Sequence, residues 1–171
     1  RSLLWFRNDL RLADHPALQA ALAAGGEVLP VFIIDPQQGA AGSYGIPRMG
    51  PFRAQFMRQC ITLLDQQLRA IGSGLQVHEG RPAEVLTALS VEHQATAVFA
   101  QAHLAWEEQQ QEQAVSAVLP LHLGAPGTLL HPADPPFELE RLPRVFTAFR
   151  HKVEAHWAVR PTLPAPTELP T

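Results

Sequence analysis

Hydrophobic positions in this chain form short unbroken runs that alternate with longer stretches of helical periodicity. Ser2–Phe6 and Val28–Ile34 are apolar at nearly every position, which is typical of strands covered on both faces. Shorter candidate strands follow at residues 75–78, 97–100 and 121–123. This alternation predicts an α/β fold, namely a Rossmann-like, doubly wound, five-stranded parallel sheet with helices on both faces.

Helical patterns separate the apolar runs, and Pro and Gly mark several of their ends. The predicted helices cover residues 16–24, 51–71, 82–93, 106–119 and 143–157. The longest carries Phe52, Phe56, Cys60, Leu63, Leu64, Leu68 and Ile71 at helical spacing. Residues 37–50 are rich in glycine, so we expect a loop there.

Composition narrows the classes of function. A chain of 171 residues is long enough for one domain with a real core, and no apolar run approaches the roughly 20 residues of a membrane span. We therefore expect no membrane partner and a cytoplasmic location. The single Cys60 excludes an internal disulfide, and the eight histidines lack ligand spacing, so no metal site is predicted. The net charge of −3 argues against nucleic-acid binding by this part.

Prolines cluster near the end of the chain, where four of the sixteen occupy residues 161–171. Such a segment favours neither a helix nor a central strand. We interpret residues 1–157 as one α/β domain and residues 158–171 as an extended interdomain linker. The chain is then expected to be an excised N-terminal domain.

Several catalytic and nucleotide-binding motifs are missing from the sequence. It contains no Gly-x-Gly-x-x-Gly, no P-loop and no Gly-x-Ser-x-Gly. We therefore predict no catalytic residue in this chain and no dinucleotide site of the Rossmann type.

Polar residues follow two of the predicted strands. Arg7, Asn8, Asp9 and Arg11 come directly after the first, at a strand end where parallel sheets bind ligands. Asp9 and Arg11 are better explained by a structural role than by ligand binding, either as an ion pair that braces the turn or as part of an interface with a following domain. After the fourth strand, Glu107 and Glu108 open a helix. The residues alone favour a structural role, because carboxylates at a helix start stabilise the helix through its dipole by about 0.3–1 kcal/mol. The alternative is that they accept hydrogen bonds from a planar ligand.

Three segments resemble the DNA photolyase and cryptochrome family. Residues 5–18, Trp-Phe-Arg-Asn-Asp-Leu-Arg-Leu-Ala-Asp-His-Pro-Ala-Leu, are similar to the start of that family. Residues 48–56 resemble its entry to the long helix, and residues 142–154 resemble the segment that closes its α/β domain, in the style of the cryptochrome DASH branch. The resemblance covers nearly all of residues 1–157.

The resemblance implies that this is the N-terminal antenna domain of a flavoprotein. Family members carry a helical C-terminal domain, absent here, that binds FAD and damaged DNA. The full-length protein would be a deoxyribodipyrimidine photo-lyase that splits cyclobutane pyrimidine dimers in light, whereas this fragment alone would be inactive. This domain would hold an antenna chromophore, methenyltetrahydrofolate or a deazaflavin, and pass its excitation energy to the FAD.

The resemblance also suggests which residues contact the chromophore. Glu108 would bind the pterin edge beside Glu107, and a flat ring would lie in a cleft lined by Phe6, Arg7, Met49 and Arg53. A second interpretation stays open for the start of the long helix. In it, Phe52 and Phe56 belong to the hydrophobic core and Arg53 is exposed to solvent. The sequence departs from the family pattern at Arg48, Gln59 and Ala105.

Two other functions are compatible with this kind of chain. The first is a signalling cryptochrome, a blue-light photoreceptor without repair activity, which this domain's sequence does not distinguish from a repair enzyme. The second is a nucleotide-binding module of the universal-stress or electron-transfer-flavoprotein type. That module would need a glycine-rich phosphate loop, and the sequence has none near the first or fourth strand.

Overall fold

All five strands run parallel in one sheet of the computed structural model, which describes residues 1–42, 44–138 and 141–170. The order is β3-β2-β1-β4-β5. The strands are β1 (Ser2–Phe6), β2 (Val28–Ile34), β3 (Gln76–Glu79), β4 (Ala97–Gln101) and β5 (Leu121–Gly124). The helices are α1 (Pro16–Ala24), α2 (Pro36–Gly39), α3 (Pro51–Ala70), α4 (Pro82–His93), α5 (Trp106–Ser116) and α6 (Phe146–His156). The predicted doubly wound parallel sheet is confirmed.

The alternation of side chains along β1 divides the core into two layers. Leu4 and Phe6 join a cluster with α1 and α3, whereas Leu3 and Trp5 join a cluster with α4 and α5. Because successive strand residues point to opposite faces, an unbroken apolar strand can feed both layers. Each fully buried side chain of this kind contributes roughly 1.5–3 kcal/mol.

Two helices differ from their sequence-based predictions. On α3, Leu64 and Leu68 are buried, but Phe52 and Phe56 remain 86% and 66% exposed. The interpretation of these two phenylalanines as core residues is therefore wrong, because α3 packs on the sheet through a different side of the helix, which carries Met57, Ile61, Leu64 and Leu68. The last helix begins at Phe146 instead of residue 143 and buries none of its residues. The predicted loop at 37–50 also contains the short α2.

The proline-rich tail is extended, and it is also docked on the domain. The backbone N–H of Asp14 donates to the Leu163 carbonyl at 2.8 Å, and that of Leu169 donates to the Ile71 carbonyl at 3.0 Å. The side chain of Leu169 is only 4% exposed and belongs to the core beside α1 and α3. Whether the tail connects two domains stays a prediction.

In the part of the chain that the structure describes, no helix combines the length and apolar character needed to cross a lipid bilayer.

The docked tail yields the first prediction. Leu169→Ala is expected to lower the free energy of unfolding by about 2–4 kcal/mol, because it leaves a cavity in the core. Urea denaturation of the chain measures this loss. Leu129→Ala is the control, since Leu129 is exposed. Equal and small effects of the two substitutions would show that the tail does not contribute to the core in solution.

Candidate functional site

A narrow cleft opens at the carboxyl ends of β1 and β2. Its free volume of about 20 Å³ has room for roughly one water molecule. Aromatic side chains of both strands line its inner part, and polar side chains of neighbouring elements contribute much of the rest. The lining residues are Trp5, Phe6, Arg7, Asn8, Phe32, Ile33, Asp35, Gln38, Met57, Pro82, Glu108 and Gln111.

Arg7 lines this cleft, and other residues of the protein bind its guanidinium. Its Nη1 donates to Oε1 of Glu112 at 2.5 Å, while its Nη2 donates to Oε1 of Gln111 and to the carbonyl of Glu108, both at 3.1 Å. The guanidinium also lies 4.6 Å from the centroid of the Trp5 ring, a favourable cation–π distance. Arg7 therefore ties the end of β1 to α5.

The same network extends from α5 to the neighbouring strand ends. The Nε2 of Gln111 donates to Oδ2 of Asp35 at 2.8 Å, and Oδ1 of Asp35 caps α2 by accepting from the Gln37 N–H at 2.9 Å. Oε1 of Glu112 also accepts from the backbone N–H of His103 at 2.9 Å. Burial, together with the nearby Arg7 charge, lowers the pKa of His103, so its imidazole is neutral at pH 7.

Asp9 and His15 form a second buried pair beside this network. Nδ1 of His15 accepts from the Leu18 N–H at 3.0 Å and so caps α1. The ring proton is therefore on Nε2, which lies 2.8 Å from Oδ2 of Asp9. Oδ1 of Asp9 accepts from the Arg7 N–H at 2.7 Å. Burial alone would raise the pKa of Asp9, but the contacts with His15 and the Arg7 backbone outweigh it and lower that pKa.

The predicted ion pair between Asp9 and Arg11 is wrong. The side chain of Arg11 instead donates to the carbonyls of Ala13 and Asp14, at 3.1 and 2.8 Å. A histidine six residues along the chain takes the place that we expected Arg11 to fill, because the turn brings His15 back under the end of β1. The prediction of a structural role for Asp9 agrees with this geometry.

The two glutamates that open α5 have different surroundings. Glu108 is half-buried and lines the cleft, and its carboxylate makes no hydrogen bond or ion pair within the described residues. Glu107 is exposed and pairs with Arg48 at 2.7 Å, outside the cleft lining. Of the two, Glu108 is therefore the one that has an acceptor available to a ligand in the cleft.

The other predicted contact residues are only partly brought together. Phe6 and Arg7 line the cleft, although both are buried. Met49 and Arg53 are not among its lining residues, and Met57 of α3 lies there instead. Arg53 is exposed on the first turn of α3. A role for these four side chains in chromophore binding stays a prediction.

Three residues that hold the site together are not predicted as site residues from the sequence: Gln111, Glu112 and Asp35. One signal was available: Glu108 and Glu112 are four residues apart and so share a face of α5. Among the described residues, no group of three or more His, Cys, Asp or Glu side chains could hold a metal ion.

Comparison with known proteins agrees with this architecture. The family model for DNA photolyase matches residues 2–169. A cryptochrome DASH of Gloeobacter violaceus is 40% identical over 98% of this chain and 35% of its own length. The crystal structure of a Synechocystis cryptochrome superposes with a TM-score of 0.92 at 34% identity, covering 98% of this chain and 36% of that one.

A photolyase of Sulfolobus tokodaii is also similar in structure. Its TM-score is 0.79 at 26% identity, and the match covers 98% of this chain and 37% of that chain. The chain thus belongs to the DNA photolyase family, which includes the cryptochromes, and corresponds to the α/β domain of its members. It spans little more than a third of the length of these relatives.

The buried ion pair yields the second prediction. Arg7→Ala is expected to lower the free energy of unfolding by about 3–5 kcal/mol, because it leaves the carboxylate of Glu112 buried without its partner. Arg48→Ala, which breaks the exposed pair with Glu107, should lower it by less than about 1 kcal/mol. Urea denaturation of both variants at pH 7 tests the difference. Comparable losses of unfolding free energy in the two variants would contradict our assignment of Arg7 as the buried partner of Glu112.

Acid provides a third prediction. A carboxyl whose pKa is lowered by folding adds stability above its ordinary pKa of 3.8, and this is lost as the pH falls below that value. Asp9→Asn should therefore destabilise the chain at pH 7, and its deficit relative to the wild type should shrink below pH 3.8. Urea denaturation across pH 3–7 measures this, with Glu92→Gln, at a carboxyl that is 69% exposed, as the control. A deficit independent of pH would refute the assignment.

Proposed function

We propose that this chain is the light-harvesting domain of a photolyase or cryptochrome whose remaining length binds FAD. The cleft would place an antenna chromophore so that its excitation energy passes to the flavin. Energy transfer of this kind needs a fixed distance and orientation but no covalent bond, so the contribution of the protein is to position the ring. We also propose a cytoplasmic location.

The observation that carries this proposal is the carboxylate of Glu108. It lies on the rim of a cleft with an aromatic interior and has no partner among the described residues. A pterin presents a ring N–H beside an exocyclic amine, and a carboxylate with two acceptor oxygens matches that edge. Because the chain belongs to the DNA photolyase family, we propose a chromophore as the ligand of this carboxylate.

The size of the cleft limits how a ring could be held. A free volume of about 20 Å³ cannot enclose a pterin or a deazaflavin. A chromophore would instead have to be held at the mouth of the cleft, where Glu108 would accept hydrogen bonds from its N–H groups. Arg7 would contribute indirectly, because its guanidinium is hydrogen-bonded to α5 and so holds the helix that carries Glu108.

The proposal also concerns which chromophore serves as the antenna. We favour a folate because its pterin edge would match the carboxylate of Glu108. The Sulfolobus tokodaii photolyase is described as containing two FAD molecules and as implying a novel light-harvesting cofactor. That relative supports a second chromophore in general, and a deazaflavin or flavin is therefore the alternative occupant.

Light-driven repair is the activity that we propose for the full-length protein. FAD bound by the remaining length would supply the light-driven electron transfer that splits cyclobutane pyrimidine dimers in DNA. DNA contact would come from the flavin-binding part, since this chain has a net charge of −3. A cryptochrome without repair activity is the second candidate, because relatives named cryptochrome match the chain. A dimer-repair assay on full-length protein distinguishes the two.

The fourth prediction tests Glu108 in the full-length protein. Glu108→Gln should weaken binding of methenyltetrahydrofolate by about 1.5–3 kcal/mol, which is tenfold or more, because a charge-assisted hydrogen bond is lost. The matched control is Glu107→Gln, whose carboxylate pairs with Arg48 outside the cleft. Equilibrium titration followed by near-ultraviolet absorbance measures both.

Three results would count against the proposal. Unchanged folate affinity in Glu108→Gln would remove the proposed contact. Equal losses in both variants would point to a general effect of charge at the helix start. Purified full-length protein that holds flavin and no second chromophore, even after incubation with folate and deazaflavin, would contradict the antenna function.

A further inference from the structure

Residues 36–64 form a region with an unusual charge. The chain has sixteen acidic residues, yet none lies between Asp35 and Asp65. The arginines of this region are Arg48, Arg53 and Arg58. Arg48 pairs with Glu107, whereas the other two make no ion pair in the part of the chain that the structure describes. The region is therefore positively charged in a chain whose net charge is −3.

The same region exposes the large apolar side chains of Tyr44, Ile46, Phe52, Phe56 and Leu63. The last three are separated by four and seven positions, so they lie along one stripe of α3. We call these five residues, with Arg53 and Arg58, the α3 face. Exposed aromatic side chains beside arginines are the composition found at the centres of protein–protein interfaces.

The α3 face is continuous with the rim of the cleft. Met57, next to Phe56 on the same helix, lines the cleft. Three residues before the helix begins, Arg48 pairs with Glu107, the residue before Glu108. A body that covers the α3 face would therefore also lie beside the mouth of the cleft.

We propose that the α3 face packs against the flavin-binding part of the full-length protein, through an opposing surface that is apolar and carries carboxylates. This inference rests on the proposed function. The chain spans 35% of a cryptochrome DASH relative, so the remaining length is large enough to supply such a surface. Two arginines without acidic neighbours favour carboxylates opposite them. Two free cations neutralise few phosphates, so nucleic acid is the weaker candidate.

The fifth prediction is that the α3 face is protected from solvent in the full-length protein, and hydroxyl-radical footprinting measures this. Phe52, Phe56 and Tyr44 should react at least several-fold more slowly than their exposure in this domain implies, after correction for intrinsic reactivity. Val91 is the internal reference, because it is 77% exposed on α4, on the opposite side of the sheet. Phe52 and Phe56 reacting as freely as this reference would overturn the proposal.

A variant makes the test independent of the reference residue. Phe52→Ser combined with Phe56→Ser should raise the reactivity of Tyr44 and Leu63 several-fold in the full-length protein. Because both phenylalanines are exposed, the domain itself should stay folded, and its circular dichroism should not change. Val91→Ser is the matched control and should leave these reactivities unaltered. No change in the double variant would also overturn the proposal.

The remaining outcomes separate other occupants from the one proposed. Protection that disappears on dilution, with a matching change of mass in light scattering, would assign the face to a second copy of the protein. Protection that requires a single-stranded oligonucleotide would assign it to nucleic acid. Either result contradicts the proposal. Protein without flavin would refute the proposed function, whereas protein with flavin and an unprotected α3 face would refute this inference alone.

Discussion

The ion pair between Arg7 and Glu112 is the constraint on which the rest of the site depends. Both side chains are buried, so each charge must find its partners inside the protein. Gln111, the Glu108 carbonyl and the Trp5 ring satisfy the guanidinium. Since these partners all belong to α5 or β1, the pair fixes the helix against the strand end. The position of Glu108 on the rim follows from that fixed geometry.

A second buried pair reinforces the same strand end from the opposite layer. His15 caps α1 with one ring nitrogen and faces Asp9 with the other, while Asp9 accepts from the Arg7 backbone. The backbone of Arg7 is thus held on one side of the sheet and its side chain on the other. Because Asp9 of one pair is hydrogen-bonded to the backbone of Arg7 of the other, the two pairs together make the turn after β1 rigid. A rigid turn is what a positioned ligand requires.

Sequence periodicity predicted the sheet and most helices well, because an unbroken apolar run such as Val28–Ile34 has few alternatives to a doubly covered strand. Periodicity did not predict that Phe52 and Phe56 are exposed, because an apolar pattern does not show which part of a protein covers the side chains. It also failed for partners distant in the chain: nothing near Arg7 in sequence indicates Glu112. Glu108 was predicted from a family resemblance and Glu112 was not, although both lie on one helix face.

The position of Arg7 shows why a charged residue at a strand end is ambiguous in sequence. The carboxyl edge of a parallel sheet is where ligands bind, but it is also where helices begin and where polar networks must close the core. Arg7 is buried and engaged by α5, so its charge organises the site from inside. Glu108, one turn before Glu112 on the same helix, has its carboxylate at the cleft. A single helix thus supplies both the anchor of the site and the group that we propose for the ligand.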